Sequence, residues 1–177
     1  MTEIRTPRLL LRRWSDDDLV PMAEINADPE VMRWIDDGSV WDLEQTAEAI
    51  ERYEEEWDDE GFGIFAVELL GSGELIGFAG LSVPEFLPEV LPDVEIGWRL
   101  GRQFWGHGYA SEAAHAVLEF ALQDRGLDRV VAITHISNQA SENVIGKLGM
   151  VAERETNHPV FDVPLRVYAI DLTEYQA

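Results

Sequence analysis

The stretch that most constrains this chain is Val94 to Tyr109, VEIGWRLGRQFWGHGY. Val94, Ile96, Trp98 and Leu100 alternate with Glu95, Gly97 and Arg99, the two-residue period of a pleated strand. The pattern breaks at Gly101. Gln103, Gly106 and Gly108 then spell Q-x-x-G-x-G, and Tyr109 opens a long helical pattern. A strand, a glycine loop and a helix start suit the binding of an anion. Glycines let the backbone visit positive φ and approach a ligand closely, and the first N–H groups of a helix have no partners inside it. Dinucleotide and nucleoside-triphosphate loops use the same physics, but their signatures are missing. There is no G-x-G-x-x-G followed about 20 residues later by an acid, and no G-x-x-x-x-G-K-[ST]. The single lysine, Lys147, lies far downstream. Taken alone, the loop also reads as a plain glycine-rich turn; the order of elements around it argues against that.

That order is as follows. Arg8 to Trp14 reads as a first strand. Ser15 caps a helix with Asp16, Asp17 and Asp18 at its start, running to about Ala27 and ended by Asp28-Pro29. Pro29 to Trp34 adds a short helical turn. Asp42 caps the next helix with Gln45 in the capping-box position, and Leu43, Ala47, Ile50, Tyr53 and Trp57 fall on one face. Its opposite face is acidic. Phe62 to Leu69 and Leu75 to Ser82 are strands joined by Gly71-Ser72-Gly73-Glu74, a hairpin signal. A proline-rich loop, Pro84 to Pro92, leads into the central strand. Beyond the glycine loop come a helix from Tyr109 to Asp124, a strand from Arg129 to Ile136, and a helix that follows Ser137 to Asn143 and ends at Leu148-Gly149-Met150. Val151 to Glu155 and Leu165 to Leu172 are the last strands. No repeat or linker interrupts the chain, and residues 1–177 read as one domain.

Composition excludes several functions. No apolar run approaches the roughly 18 residues of a membrane span, and the N-terminus lacks signal-peptide architecture, so a cytoplasmic protein without a membrane partner is expected. The absence of cysteine rules out disulfides and cysteine chemistry. The four histidines show no ligand spacing, and no metal site is expected. Lys+Arg number 13 against 35 Asp+Glu, a formal net charge of −22. Nucleic acid is therefore not an expected partner, since phosphate recognition needs basic stripes. Two readings of the acid stand open: attraction of a cationic partner, or surface solvation as in proteins adapted to high salt.

The Q-x-x-G-x-G of Gln103, Gly106 and Gly108 resembles the coenzyme A loop of the GNAT acetyltransferase superfamily, [QR]-x-x-G-x-[GA]. Other segments agree. Ile76-Gly77-Phe78-Ala79-Gly80-Leu81 is similar to the family's I-G-x-x-G-L run, and Asn138, Ser141, Gly149 and Met150 fit N-x-x-[AS]-x-x-x-x-x-x-x-G-[FM]. T-x-R-L-x-L-R near the start, the acidic helix start and N-x-D-P-x-V from Asn26 to Val31 resemble the branch that contains the ribosomal-protein N-terminal alanine acetyltransferases. The resemblance covers nearly all of the chain. It implies an α+β fold: a central, mostly antiparallel twisted sheet flanked by helices and splayed at the central strand. The implied activity is N-acetyl transfer from acetyl-CoA to a primary amine, a protein N-terminus or a small cationic molecule, by direct transfer in a ternary complex. A non-catalytic acyl-CoA-binding module is the alternative. Relatives often form dimers, so a homodimer is open.

The resemblance also implies roles for particular residues. The pyrophosphate of acetyl-CoA would rest on the loop and helix start formed by Gln103, Gly106, His107, Gly108, Tyr109 and Ala110, with Arg102 adding charge. The pantetheine arm would pair with the central strand at Trp98, Arg99 and Leu100 and be contacted by Asn138, with Asn143 a further contact to the cofactor. Glu95 stands where several members carry a catalytic base; its ordinary alternative is a strand glutamate paired with Arg99 or facing solvent. The tyrosine that commonly protonates the leaving thiolate is replaced by Ile145, and Ser141 is the nearest substitute. His115 and His135 read as core or surface histidines.

Overall fold

The computed structural model describes residues 2–175. Eight strands form one sheet: β1 (Ile4–Arg5), β2 (Leu9–Arg12), β3 (Ile64–Leu69), β4 (Leu75–Ser82), β5 (Val94–Leu100), β6 (Arg129–His135), β7 (Val151–Asn157) and β8 (Pro164–Asp171), in the order β1-β2-β3-β4-β5-β6-β8-β7. Every neighbouring pair is antiparallel except β5 and β6. Five helices flank the sheet: α1 (Leu19–Asn26), α2 (Pro29–Met32), α3 (Leu43–Glu60), α4 (Tyr109–Glu119) and α5 (Gln139–Leu148).

The parallel pair is where the sheet opens. β5 and β6 pair only at Val94 with Val130 and at Glu95 with Val131. Beyond those residues β5 stays with β4 as far as Leu100, and β6 stays with β8 as far as His135. The two halves of the sheet diverge and leave the facing edges of β5 and β6 unpaired. This is the splay expected at the central strand.

The alternation in β5 sorts its side chains onto two faces. Ile96 and Leu100 join the main core with Leu11, Phe65, Ile76 and Leu81, over which α4 lies. α4 packs close because Ala113 and Ala114 are completely buried and small; a single turn of π-helix, Phe120–Asp124, extends it. On the other face of the sheet, Ile64 and Phe78 pack with Trp14 against Met22 and Ile25 of α1, with Ile50 and Tyr53 of α3 at the margin. There the indole N–H groups of Trp14 and Trp57 both donate to the Ile64 carbonyl, each at 2.9 Å, so two large aromatics are buried with their polar atoms satisfied.

Local signals set most boundaries. The Asp42–Gln45 capping box forms, with Gln45 N–H donating to Asp42 at 2.8 Å and Asp42 N–H donating back to Gln45 at 2.9 Å. The buried face of α3 differs from the expected one. Thr46, Ala49 and Trp57 are buried, whereas Leu43 is 52% exposed. The first strand stops at Arg12, since Trp14 turns inward to reach Ile64. β7 is longer than expected and reaches Asn157, whereas β8 keeps its expected length one residue earlier; the two pair from Val151–Ala169 to Asn157–Pro164. A register irregularity opposite Gly77 marks a bulge in β4. Gly77 sits at φ 148°, and a Cβ there would stand 2.0 Å from the Arg99 carbonyl oxygen. Only glycine lets β4 and β5 approach this closely.

Candidate active site

The glycine loop leaves β5 through Gly101, whose N–H donates to the Ile76 carbonyl at 2.9 Å. A 3-10 turn, Arg102–Phe104, follows, and Phe104 is buried in the core. Gly106 and Gly108 then take φ values of 78° and 82°, the left-handed region in which glycine carries no penalty. Gly108 is the N-cap of α4 and offers no side-chain cap. The opening N–H groups of α4 are therefore left for an external anion. A Cβ on Gly106 would meet nothing within 4 Å, so the space beside the loop is open. These features suit an anionic group at the helix start.

One residue fastens the loop from a distance in sequence. Arg8 donates from Nη1 to the His107 carbonyl at 2.9 Å and from Nε to Glu112 Oε1 at 2.7 Å, and its guanidinium lies 4.4 Å over the Tyr109 ring. Glu112 also accepts from Thr6 Oγ1 at 2.5 Å and from the Arg8 N–H at 3.0 Å. Burial works against its charge, yet these hydrogen bonds from Thr6 and Arg8 hold its carboxyl below the ordinary range. An acid in the first turn of α4 is thereby paired. Arg8 belongs to the T-x-R-L run, and its contact with the loop is visible only in the folded chain.

At the splay, the orientation of β5 decides which groups face the gap. The Arg99 carbonyl points at Gly77 in β4. Backbone direction alternates along a strand, so the peptide groups of Trp98 and Leu100 face the gap instead. The Leu100 carbonyl already accepts from Trp105 Nε1 at 3.0 Å. Arg99 thus has its backbone toward β4 and its side chain on the opposite face from Ile96. It is turned away from the edge where a cofactor contact was expected.

A cavity of about 300 Å³ opens at this gap. It brings together Glu95, Gly97 and Trp98 from β5 with Asn138 and Ser141 at the start of α5, and it reaches Arg99. Asn138 caps α5 through Oδ1, which accepts from the Ser141 N–H at 3.2 Å. Ser141 lines the cavity. Asn143 does not: it is exposed and its Oδ1 accepts from Gln139 Nε2 at 2.9 Å. Two positions from Ser141, it lies about 200° round the helix. Ile145 is buried and also lines the cavity.

Glu95 makes no ion pair with Arg99, four residues along the same strand and about 13 Å away at ~3.3 Å per residue. Burial pushes its carboxyl up to about 8, and the charge of Glu56 adds to the effect. Glu56, whose own carboxyl is raised by burial, accepts from the Val83 N–H at 3.0 Å. Arg102 is exposed and its guanidinium is held by Asp28 at 2.7 and 2.9 Å, rather than free beside the loop. Gln103 and His107 are exposed on the loop, and Tyr109 and Ala110 are half-buried at the start of α4. His115 is tied to Tyr175 by a 2.6 Å hydrogen bond. His135 lines the cavity with its ring 4.7 Å from Trp34. The aromatic wall of the cavity, Trp34, Trp41, Tyr53 and Phe86, was not legible as a group in the sequence. These residues come from two loops and a helix, and no spacing links them.

Residues 8–151 match the acetyltransferase (GNAT) domain family. The chain belongs to the GNAT acetyltransferase family. It is 31% identical over 150 residues to the "uncharacterized N-acetyltransferase YnaD" of Bacillus subtilis (strain 168), covering 85% of this chain and 83% of that protein. An acetyltransferase from Agrobacterium tumefaciens str. C58 superposes with a TM-score of 0.82 at 27% identity, covering 96% of this chain and 94% of that one. The fold is shared as well with RimL, a ribosomal L7/L12 alpha-N-protein acetyltransferase solved in complex with coenzyme A. That match has a TM-score of 0.79 at 17% identity, over 96% of this chain and 98% of that one. The GNAT member described here is thus an acetyl-CoA-dependent acetyltransferase, with the mixed, mostly antiparallel sheet of the family. Among its described residues no helix is long and apolar enough to cross a membrane.

Proposed function

We propose that this GNAT enzyme acetylates a primary amine by direct transfer in a ternary complex. The observation that carries the reading is the single cavity in which Glu95 from β5 and Ser141 from α5 meet at the splay. Acetyl-CoA supplies an activated thioester. The N–H groups after Gly106 and Gly108 hold its pyrophosphate, the gap-facing edge of β5 at Trp98 and Leu100 orients its arm, and Asn138 adds a polar contact. The Trp98 N–H polarises the acyl oxygen. Glu95 takes a proton from the acceptor ammonium through water, and its raised carboxyl suits that task near neutral pH. The amine nitrogen bonds to the acyl carbon and the carbon–sulfur bond breaks. Ser141 passes a proton to the departing thiolate and is replenished from the nitrogen as it becomes an amide. The products are the amide, the free thiol and one proton released to solvent.

The test is incubation with acetyl-CoA and a panel of amines at low and at molar salt, read by mass spectrometry. Peptides, aminoglycosides, polyamines and amino acids form the panel. A mass increase of one acetyl group on an amine is expected. Acetyl-CoA binding without transfer to any acceptor would sink the catalytic roles of Glu95 and Ser141.

A further inference from the structure

Arg99 is the unexplained charge in this cavity. The residue is 8% exposed. Nη1 donates to Asn26 Oδ1 at 2.8 Å, and Asn26 is itself held by Thr46 at 3.0 Å. The guanidinium carbon lies 4.9 Å from the Trp41 ring centroid and 4.8 Å from that of Phe78, within cation–π range of both rings. Nε is buried with no hydrogen-bond partner, and among the described residues Nη2 has none either. No carboxylate among the described residues comes within ion-pair distance. Asp36 acts on Arg99 only through space. Burial accordingly pulls the guanidinium's pKa down. A buried cation anchored by a neutral amide and two aromatic rings is costly to maintain unless something completes it. Its unpaired Nε–Nη2 edge has the fork geometry that takes a carboxylate side-on.

Gly97 adds a second observation. It lies between Glu95 and Arg99 on the same face of β5, beside the splay. A Cβ there would meet nothing within 4 Å, and its φ is ordinary. The strand floor between the acid and the guanidinium is therefore open. We propose that the acceptor carries a carboxylate near its amine, as a free amino acid does, and that Arg99 binds this carboxylate while the amine lies over Gly97 toward Glu95. The inference rests on the acetyltransferase reading and names the substrate class of the same site. Arg99 is then a specificity-determining residue, and the aromatic wall receives the amino acid's side chain. A zwitterion also suits a chain of net charge −22, because it carries no net charge to be repelled.

The test uses matched acceptors: L-amino acids, the corresponding carboxamides, and the amines left when the carboxyl group is removed. Wild-type enzyme should favour each acid over its amide and amine by about 100-fold in kcat/KM, the scale set by leaving a charged donor unpaired. R99Q should erase most of that preference while acetyl-CoA affinity, measured by calorimetry, stays unchanged. Gly97→Val should block amino acid acetylation at an unchanged melting temperature, which covers the case in which R99Q fails to fold. Equal or better transfer to the amides and amines by wild-type enzyme would overturn the proposal and leave the acetyltransferase reading intact. A preference that persists in folded R99Q would overturn it too. If nothing in the set is acetylated, the amino acid acceptor is refuted. The calorimetry and the wider amine panel then decide separately whether the donor site and the transfer reading stand.

Discussion

Glu95→Gln should remove a pH-dependent component of activity. A carboxyl raised to about 8 is ionised in about one molecule in ten at pH 7 and in about nine in ten at pH 9. A base in that state contributes about tenfold more at pH 9 than at pH 7. The acceptor's own ionisation also changes over this range, so the useful quantity is the ratio of wild-type to variant kcat/KM with one acceptor. That ratio should rise about tenfold between pH 7 and pH 9 and reach about 100-fold or more at the top, within the usual contribution of a general base. Stability moves the opposite way. The unfolded chain ionises Glu95 near the ordinary 4.5, whereas the native state keeps the proton up to about 8. The native state thus holds its full advantage below about 4.5, and loses it as pH rises to about 8. The loss is of the order of a few kcal/mol, with some relief from solvent in the cavity. Glu95→Gln should therefore melt higher than wild type at pH 9 and nearly level with it at pH 4.5. A ratio of rates that stays flat from pH 6 to pH 9.5 would refute both the base role and the burial argument.

Ser141→Ala should lower kcat by about tenfold or more with little change in acetyl-CoA affinity by calorimetry, because Ser141 lines the cavity while the Asn138 cap uses only its backbone N–H. An unchanged kcat would remove Ser141 from the chemistry. Gly77→Ala should cost several kcal/mol, or about 10 °C in melting temperature for a chain of this size, since its Cβ would meet the Arg99 carbonyl oxygen at 2.0 Å. A melting temperature within 2 °C of wild type would show that β4 and β5 can separate at the bulge.

Much of the site was legible because it is local in sequence. The two-residue period of Val94 to Leu100 placed Glu95 and Arg99 on the face opposite Ile96, and the structure keeps that division. The glycines at 106 and 108 marked positive φ and an uncapped helix start, and both features are present. Asn143 was separable from Ser141 by helical periodicity alone. Asn138, Ser141 and Ile145, at i, i+3 and i+7, share one face, and Asn143 does not. Leu43 was harder, since an apolar residue in the first turn of an amphipathic helix is buried only where the sheet extends beneath it.

The sequence by itself determined where the strands, caps and glycine turns fall, because period, capping and φ preference act over a few residues. The tertiary structure alone decided which distant side chains share a space. Arg8 reaches Glu112 and His107 because β2 runs beside the start of α4. Trp34, Trp41 and Phe86 enclose the cavity because their loops converge over the splay. Arg99 becomes a buried, half-satisfied cation because Asn26, Phe78 and Trp41 arrive from three other segments. Such meetings depend on how elements cross, and no local pattern in the chain records the crossing.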